Sequence, residues 1–247
     1  VSSWREYSVE EFGLSRSTTM GEYFAGRRRT FFSTTRPALP KRMARYNRIH
    51  SYGSGLIIGE NESEYLVLTS RHIIAHEDTL SNYSVDVLTG QQVISTKEIL
   101  VNSRLFIREQ DGNAKRDAHL IAEESSSDLA LIAYPRSLSR NRVFRGEILT
   151  ARHNIWGKTG VLFGYPDELL TVTMGLSGTS PYKGHFSLSV NATFGHSGGA
   201  VFEVGQDGHL RLRGIGRTVQ GKRIFAVQPD TTLAYPTHLS TRDISRL

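Results

Sequence analysis

Thr193-Phe194-Gly195-His196-Ser197-Gly198-Gly199-Ala200-Val201-Phe202 sets one serine inside a glycine-rich turn and sends the chain directly into an apolar run. Glycines on both sides of Ser197 let the backbone turn tightly, which exposes the hydroxyl and aims successive N–H groups at one point. A serine hydroxyl is a poor nucleophile until a base removes its proton, so such a turn asks for an imidazole and for an acid to orient it. Two upstream segments offer them. Gly53-Ser54-Gly55-Leu56-Ile57-Ile58-Gly59 followed by Tyr65-Leu66-Val67-Leu68-Thr69-Ser70-Arg71-His72-Ile73-Ile74 reads as a hairpin ending in a histidine. Ser125-Ser126-Ser127-Asp128-Leu129-Ala130-Leu131-Ile132 reads as an acid opening a buried strand. Taken singly, these are an ordinary turn serine, a satisfied core histidine and a strand cap; their joint order distinguishes them.

Outward from these segments, residues 51 onward read as short apolar or alternating runs: Gly55-Ile58, Tyr65-Thr69, Ser84-Leu88, Leu105-Ile107, Leu129-Tyr134, Gly160-Phe163, Leu170-Met174, Phe186-Val190, Ala200-Val204, Leu210-Ile215 and Ile224-Val227. Turn residues such as Asp111-Gly112-Asn113 and Gly205-Gln206-Asp207-Gly208 separate them, and long 3.6-period patterns are nearly absent, which predicts an all-β class. Helical suggestions are confined to a short amphipathic piece near Glu10, one turn after the strand leading to His72, and the last few residues. The Arg- and Ser-rich stretch Ser137-Arg145 reads as the connection between two halves of the body.

The 247 residues, 38% hydrophobic and 22% charged with 23 Gly and 7 Pro, exclude a disordered tail or fibrous repeat as the description of the whole chain. No cysteine is present, so disulfide scaffolds, thiolate metal sites and thiol nucleophiles are excluded. No run reaches the length of a bilayer span and the N-terminus carries no signal-peptide pattern, pointing to an intracellular protein without a membrane span. Residues 1–50 hold ten basic side chains against four acidic ones, a surplus equal to the whole net charge of +6. Within that arm Arg27, Arg28, Arg29, Arg36, Lys41, Arg42, Arg45 and Arg48 interleave with Phe31, Phe32 and Tyr46. It reads first as a solvated extension. The second reading, phosphate tracking and base stacking by residues 27–48, makes nucleic acid a candidate partner.

The order His, Asp, Ser with these flanks resembles the chymotrypsin-like serine peptidases, most closely the cysteine-free bacterial HtrA-type and viral branches. The similarity spans roughly residues 51–230. It implies two six-stranded antiparallel β-barrels with an active site in the cleft between them: an extension over 1–48, an N-terminal barrel over 49–140 carrying His72 and Asp128, and a C-terminal barrel over 141–247 carrying Ser197. The resemblance further implies a polypeptide substrate, with Ser197 as nucleophile, His72 as base and Asp128 orienting it. The oxyanion-hole N–H groups fall on Gly195 and Ser197, and the substrate backbone is expected to pair along Gly214, Ile215, Gly216 and Arg217. His185 is a candidate pocket residue, with a half-exposed strand histidine as the plain alternative. By charge, Arg217, Lys222 and Arg223 would complement an acidic substrate side chain, with a solvated hairpin as the equal alternative.

The spacing of 56 residues from His72 to Asp128 is long for this group, so an insertion near 97–124 is expected. Asp86 and Asp117 are the competing acids. Alternation places Asp86 opposite Val85 and Val87 and hence outward. His196 stands where secreted trypsin-like enzymes carry an acid that binds a new N-terminus, so activation through that ion pair is not expected. No histidine spacing suggests a metal, and no cofactor is required. The Val1 start and the basic arm fit release from a longer polypeptide. The alternative from another class is an inert or gated peptidase-like module that holds nucleic acid or a protein through the arm.

Overall fold

In the computed structural model, residues 1–11, 45–85, 92–109, 115–136, 143–149, 156–182, 184–220 and 223–227 are described. Two compact units result: Val1–Trp4, His50–Ala75 and Arg104–Leu247 form the first, Arg5–Ile49 and His76–Ser103 the second. All three residues singled out for chemistry lie in the first.

The first unit contains two sheets. In one, β3 (Leu56–Glu60) pairs with β4 (Glu64–Ser70), β4 with β8 (Leu129–Pro135), and β8 with β7 (Lys115–Glu124). The end of β6 (Gln92–Arg108) comes next in this series, with Leu105 opposite Ala118, and the order continues to β1 (Ser2–Glu11) and β2 (Arg45–Tyr52). β8 is an unbroken apolar run with six successive buried residues, which fits a strand covered on both faces. The other sheet is a closed six-stranded barrel in the order β10 (Thr171–Thr179), β11 (His185–Leu188), β14 (Arg223–Val227), β13 (Leu210–Gln220), β12 (Ala200–Val204) and β9 (Thr159–Gly164). Leu162, Phe186, Leu188, Val201, Ile224 and Ala226 fill its interior. A separate core joins the sheets: Ile58, Leu68, Leu129 and Leu131 from the first pack with Ala200, Phe202, Leu212 and Ile215 from the second. Burial of these side chains fixes the end of β4 and the start of β8 against the strand that follows Ser197. The architecture is all-β, as expected.

In the second unit β5 (Thr79–Val85) pairs with the first part of β6, from Thr79 opposite Ile99 to Val85 opposite Gln92. β1 (Ser2–Glu11) and β2 (Arg45–Tyr52) are neighbouring strands that run through both units. The helix expected near Glu10 is therefore a strand. Ser3, Arg5 and Tyr7 are buried and the residues between them are less so, a period of two that the polar composition conceals. The expected insertion near 97–124 consists largely of β6 and β7. Arg27 to Arg42, Asp86, most of the Ser137–Arg145 connection, Lys222 and the C-terminal residues from 228 lie outside the described residues.

Candidate active site

Ser70 pairs with Leu129 at the end of the β4–β8 ladder, so the residues after Ser70 and those before Leu129 emerge side by side. After Ser70 the chain makes one helical turn, α1 (Arg71–Ile74), which buries Ile73 and Ile74 and leaves His72 on the open side. Ser3 Oγ donates to Ile73 O at 2.6 Å and fastens this turn from outside. Before Leu129, the turn 125–128 ends with Asp128 at φ 58°, in the left-handed region that Asp tolerates better than most residues. That conformation brings its carboxylate back onto α1. Asp128 Oδ1 accepts the main-chain N–H of His72 at 2.8 Å, and Oδ2 lies 2.6 Å from His72 Nδ1. Arg71 N–H donates to Asp128 O at 2.8 Å.

The Asp128 side chain is 10% exposed and that of His72 46%. An ionised carboxylate only accepts, so Nδ1 is the donor of this bond, and Nε2 has no partner among the described residues. Asp117, the other described acid weighed in the sequence, is exposed on β7 opposite Phe106.

Gly195 and Gly198 in the glycine-rich turn around Ser197 take φ values of 95° and 78°. A Cβ on Gly198 would overlap Ser54 O and Thr69 Oγ1, so glycine is needed there for space as well as for conformation. The N–H groups of His196, Gly198 and Gly199 are spent on Thr193 O, Gly216 O and Gly199's own partner His196 O. Among the described residues, those of Gly195 and Ser197 have no acceptor. Two main-chain donors at the turn, one of them the serine's own, are thus left for an outside acceptor.

Ser54 holds this turn, and sequence reasoning gave it no function. Its N–H donates to Ser197 O at 2.7 Å, its hydroxyl donates to Gly195 O at 2.7 Å, and that hydroxyl accepts Tyr165 N–H at 2.8 Å. Thr69 Oγ1 in turn donates to Ser54 O at 2.6 Å, and Ser70 Oγ to Gly216 O at 2.8 Å. The signal was a small polar residue between two glycines just ahead of β3.

The register of β13 on β14 shifts between Gly216 and Thr218, which makes Arg217 the extra residue of a β-bulge. Bulges re-aim side chains and carbonyls, and this one does both. Arg217 O accepts the Ser197 hydroxyl at 3.3 Å, while Arg217 Nε lies 3.4 Å from Asp128 Oδ2 and Nη1 lies 2.9 Å from His185 Nε2. Among the described residues the serine hydroxyl is therefore bonded to Arg217 O, and not to His72. Gly214 and Ile215 pair with β12, and Ile215 and Gly216 with β14, so these backbones are engaged within the barrel. Among the described residues, the β12-facing edge of β13 has no strand partner from Arg217 onward. His196 is buried in the turn, with Nδ1 accepting Thr193 N–H at 3.1 Å and Nε2 unpartnered among the described residues. No group of three or more His, Asp or Glu side chains among the described residues is placed to hold a metal ion, and no described helix is long and apolar enough to cross a membrane.

No protein-family model matches the sequence, and no curated protein aligns with it significantly. Solved structures do resemble it. The HtrA-type protease AlgW, as a serine-to-alanine variant with decapeptide, superposes with a TM-score of 0.52 at 18% identity, covering 94% of this chain and 61% of that one. AlgW with tripeptide gives 0.51 at 17% identity, over 94% of this chain and 57% of the other. A human pathogenic astrovirus serine protease matches over 74% of this chain and 86% of its own, at 17% identity and a TM-score of 0.46. The chain thus spans about three fifths of the AlgW structures it matches, at 61% and 57% of their lengths. At these identities the likeness is one of architecture: the chain has the chymotrypsin-like serine-protease fold.

Proposed function

We propose that the chain is a serine endopeptidase in which Ser197 is the nucleophile, His72 the general base and then acid, and Asp128 the group that orients the imidazole. The observation that carries this reading is the two-point hold of the Asp128 carboxylate on His72, at 2.8 Å to the main-chain N–H and 2.6 Å to Nδ1. A structural carboxylate needs no such hold on an exposed ring; a base that must present Nε2 does.

The substrate enters as an added strand on the open edge of β13, its backbone N–H taking Arg217 O. That N–H competes with the Ser197 hydroxyl for the same acceptor and frees the hydroxyl to turn toward His72 Nε2. Ser197 Oγ then attacks the peptide carbonyl carbon and its proton passes to Nε2. The oxyanion is received by the N–H groups of Gly195 and Ser197, where removal of one donor typically costs ~2.7–4 kcal/mol in the barrier. Collapse breaks the C–N bond and the imidazolium protonates the leaving amine. Water, deprotonated by the same nitrogen, hydrolyses the ester and restores Ser197. Asp128 remains ionised throughout and stabilises the imidazolium that forms twice in the cycle.

Profiling against a peptide library tests this. Wild-type protein is expected to cut internal peptide bonds, and Ser197→Ala and His72→Ala to lose the cleavage while unfolding at the wild-type denaturant concentration. Cleavage by Ser197→Ala at the wild-type rate would remove the serine from the chemistry.

A further inference from the structure

Arg217 is under-used for a guanidinium held so close to a catalytic carboxylate. Its Nε reaches Asp128 Oδ2 at a long 3.4 Å, its Nη1 donates to the neutral Nε2 of His185 at 2.9 Å, and Nη2 has no partner among the described residues. An Arg in a confined place usually meets a carboxylate through two parallel N–H bonds, because its fork matches that geometry. Asp128 does not provide this: the contact is a single long approach of Nε to Oδ2, and both oxygens also accept from His72. The Arg217 side chain is nevertheless one-third exposed, at 33%, so solvent reaches part of it. His185 is half-buried at the start of β11, its ring edge-on to Tyr182 with centroids 5.9 Å apart, which braces the nitrogen that Arg217 meets. The bulge fixes the same residue's carbonyl 3.3 Å from Ser197 Oγ.

The geometry points to a substrate-recognition site in which Arg217, braced by His185, binds the carboxylate of an acidic side chain close to the bond being cleaved. Extended chain advances about 3.3 Å per residue, which limits the reach of one arginine side chain to about three residues from the nucleophile. The carboxylate takes Nη2 and the second hydrogen of Nη1 side by side and completes the pairing that Asp128 leaves open. This inference rests on the endopeptidase reading and adds the substrate class to it.

The test uses fluorogenic peptides in matched pairs, Glu against Gln and Asp against Asn, at each of three positions on either side of the cleaved bond. The readout is the acid-to-amide ratio of kcat/KM within each enzyme. Wild type is expected to favour the acid by about tenfold or more at one position. The ratio should fall to near one in Arg217→Gln, be partly kept in Arg217→Lys, and drop in His185→Phe. Absolute rates of the Arg217 variants will also fall because the side chain touches Asp128, and the ratio is insensitive to that. If Arg217→Gln does not fold, the Lys and His185 variants decide. Cleavage with ratios near one at every position, in wild type whose Ser197 reacts with a fluorophosphonate, overturns acidic recognition and leaves the endopeptidase reading standing. Neither cleavage nor labelling overturns both.

Discussion

Replacing Ser54 by alanine deletes one oxygen and cuts two hydrogen bonds at once, the 2.7 Å donation to Gly195 O and the 2.8 Å acceptance from Tyr165 N–H. Ser54 is 2% exposed, so water has little access to replace either partner. A buried main-chain group left unpaired costs ~1–3 kcal/mol, and with partial relaxation the two together should destabilise the fold by about 2–4 kcal/mol. For a chain of this size that corresponds to a fall in thermal midpoint of roughly 5–15 °C. The main-chain bonds of Ser54 to Ser197 and Thr69 survive the substitution, so the turn loosens without being released. Loosening falls first on Gly195, whose N–H is one of the two proposed oxyanion donors. The rate of fluorophosphonate labelling should drop by about ten- to a hundredfold, less than the full loss of one donor. Calorimetry and a labelling time course measure the two effects separately. A variant matching wild type in both midpoint and labelling rate would refute the assignment of Ser54 as the brace of the nucleophile turn.

Asp128→Asn keeps the shape of the site but reverses the tautomer preference of His72, and peptide cleavage should fall by about four orders of magnitude with little change in urea midpoint. Gly198→Ala combines a φ of 78° with overlap of the new Cβ on Ser54 O and Thr69 Oγ1. It should destabilise the fold by about 2–5 kcal/mol in urea unfolding. The Glu124 carboxyl is held below its ordinary value, first by the main-chain N–H of Ser126 and then by its hydroxyl. A depressed folded-state value contributes stability at pH above the unfolded value, lost as pH falls through the folded one. Ser126→Ala should raise the Glu124 titration midpoint part of the way back, read by NMR, and move the acid-side loss of stability to higher pH.

The strands that carry the site were legible because they are apolar: Leu129–Tyr134 and Ala200–Val204 coincide with β8 and β12 within a residue. β1, β6 and β7 were not, since Ser2–Glu11 and Lys115–Glu124 are rich in charge and show their period only through which residues become buried. The pairing of His72 with Asp128 could be anticipated from order and flanks. Nothing local announces the φ of 58° that turns the carboxylate back onto α1. Arg217 was legible as a cation near the site, but its carbonyl and its guanidinium point to Ser197 and Asp128 because of a register shift between two strands. A bulge of that kind is a property of the pairing and not of either strand alone. Ser54 escaped for a similar reason: its function is distributed over partners at residues 69, 165, 195 and 197.

An activated hydroxyl on Ser197 is read by mass spectrometry of the protein after exposure to a fluorophosphonate. One adduct is expected, located on Ser197, absent from Ser197→Ala and formed far more slowly in His72→Ala. An unmodified wild-type protein, or an adduct that persists at the same rate in Ser197→Ala, would contradict it.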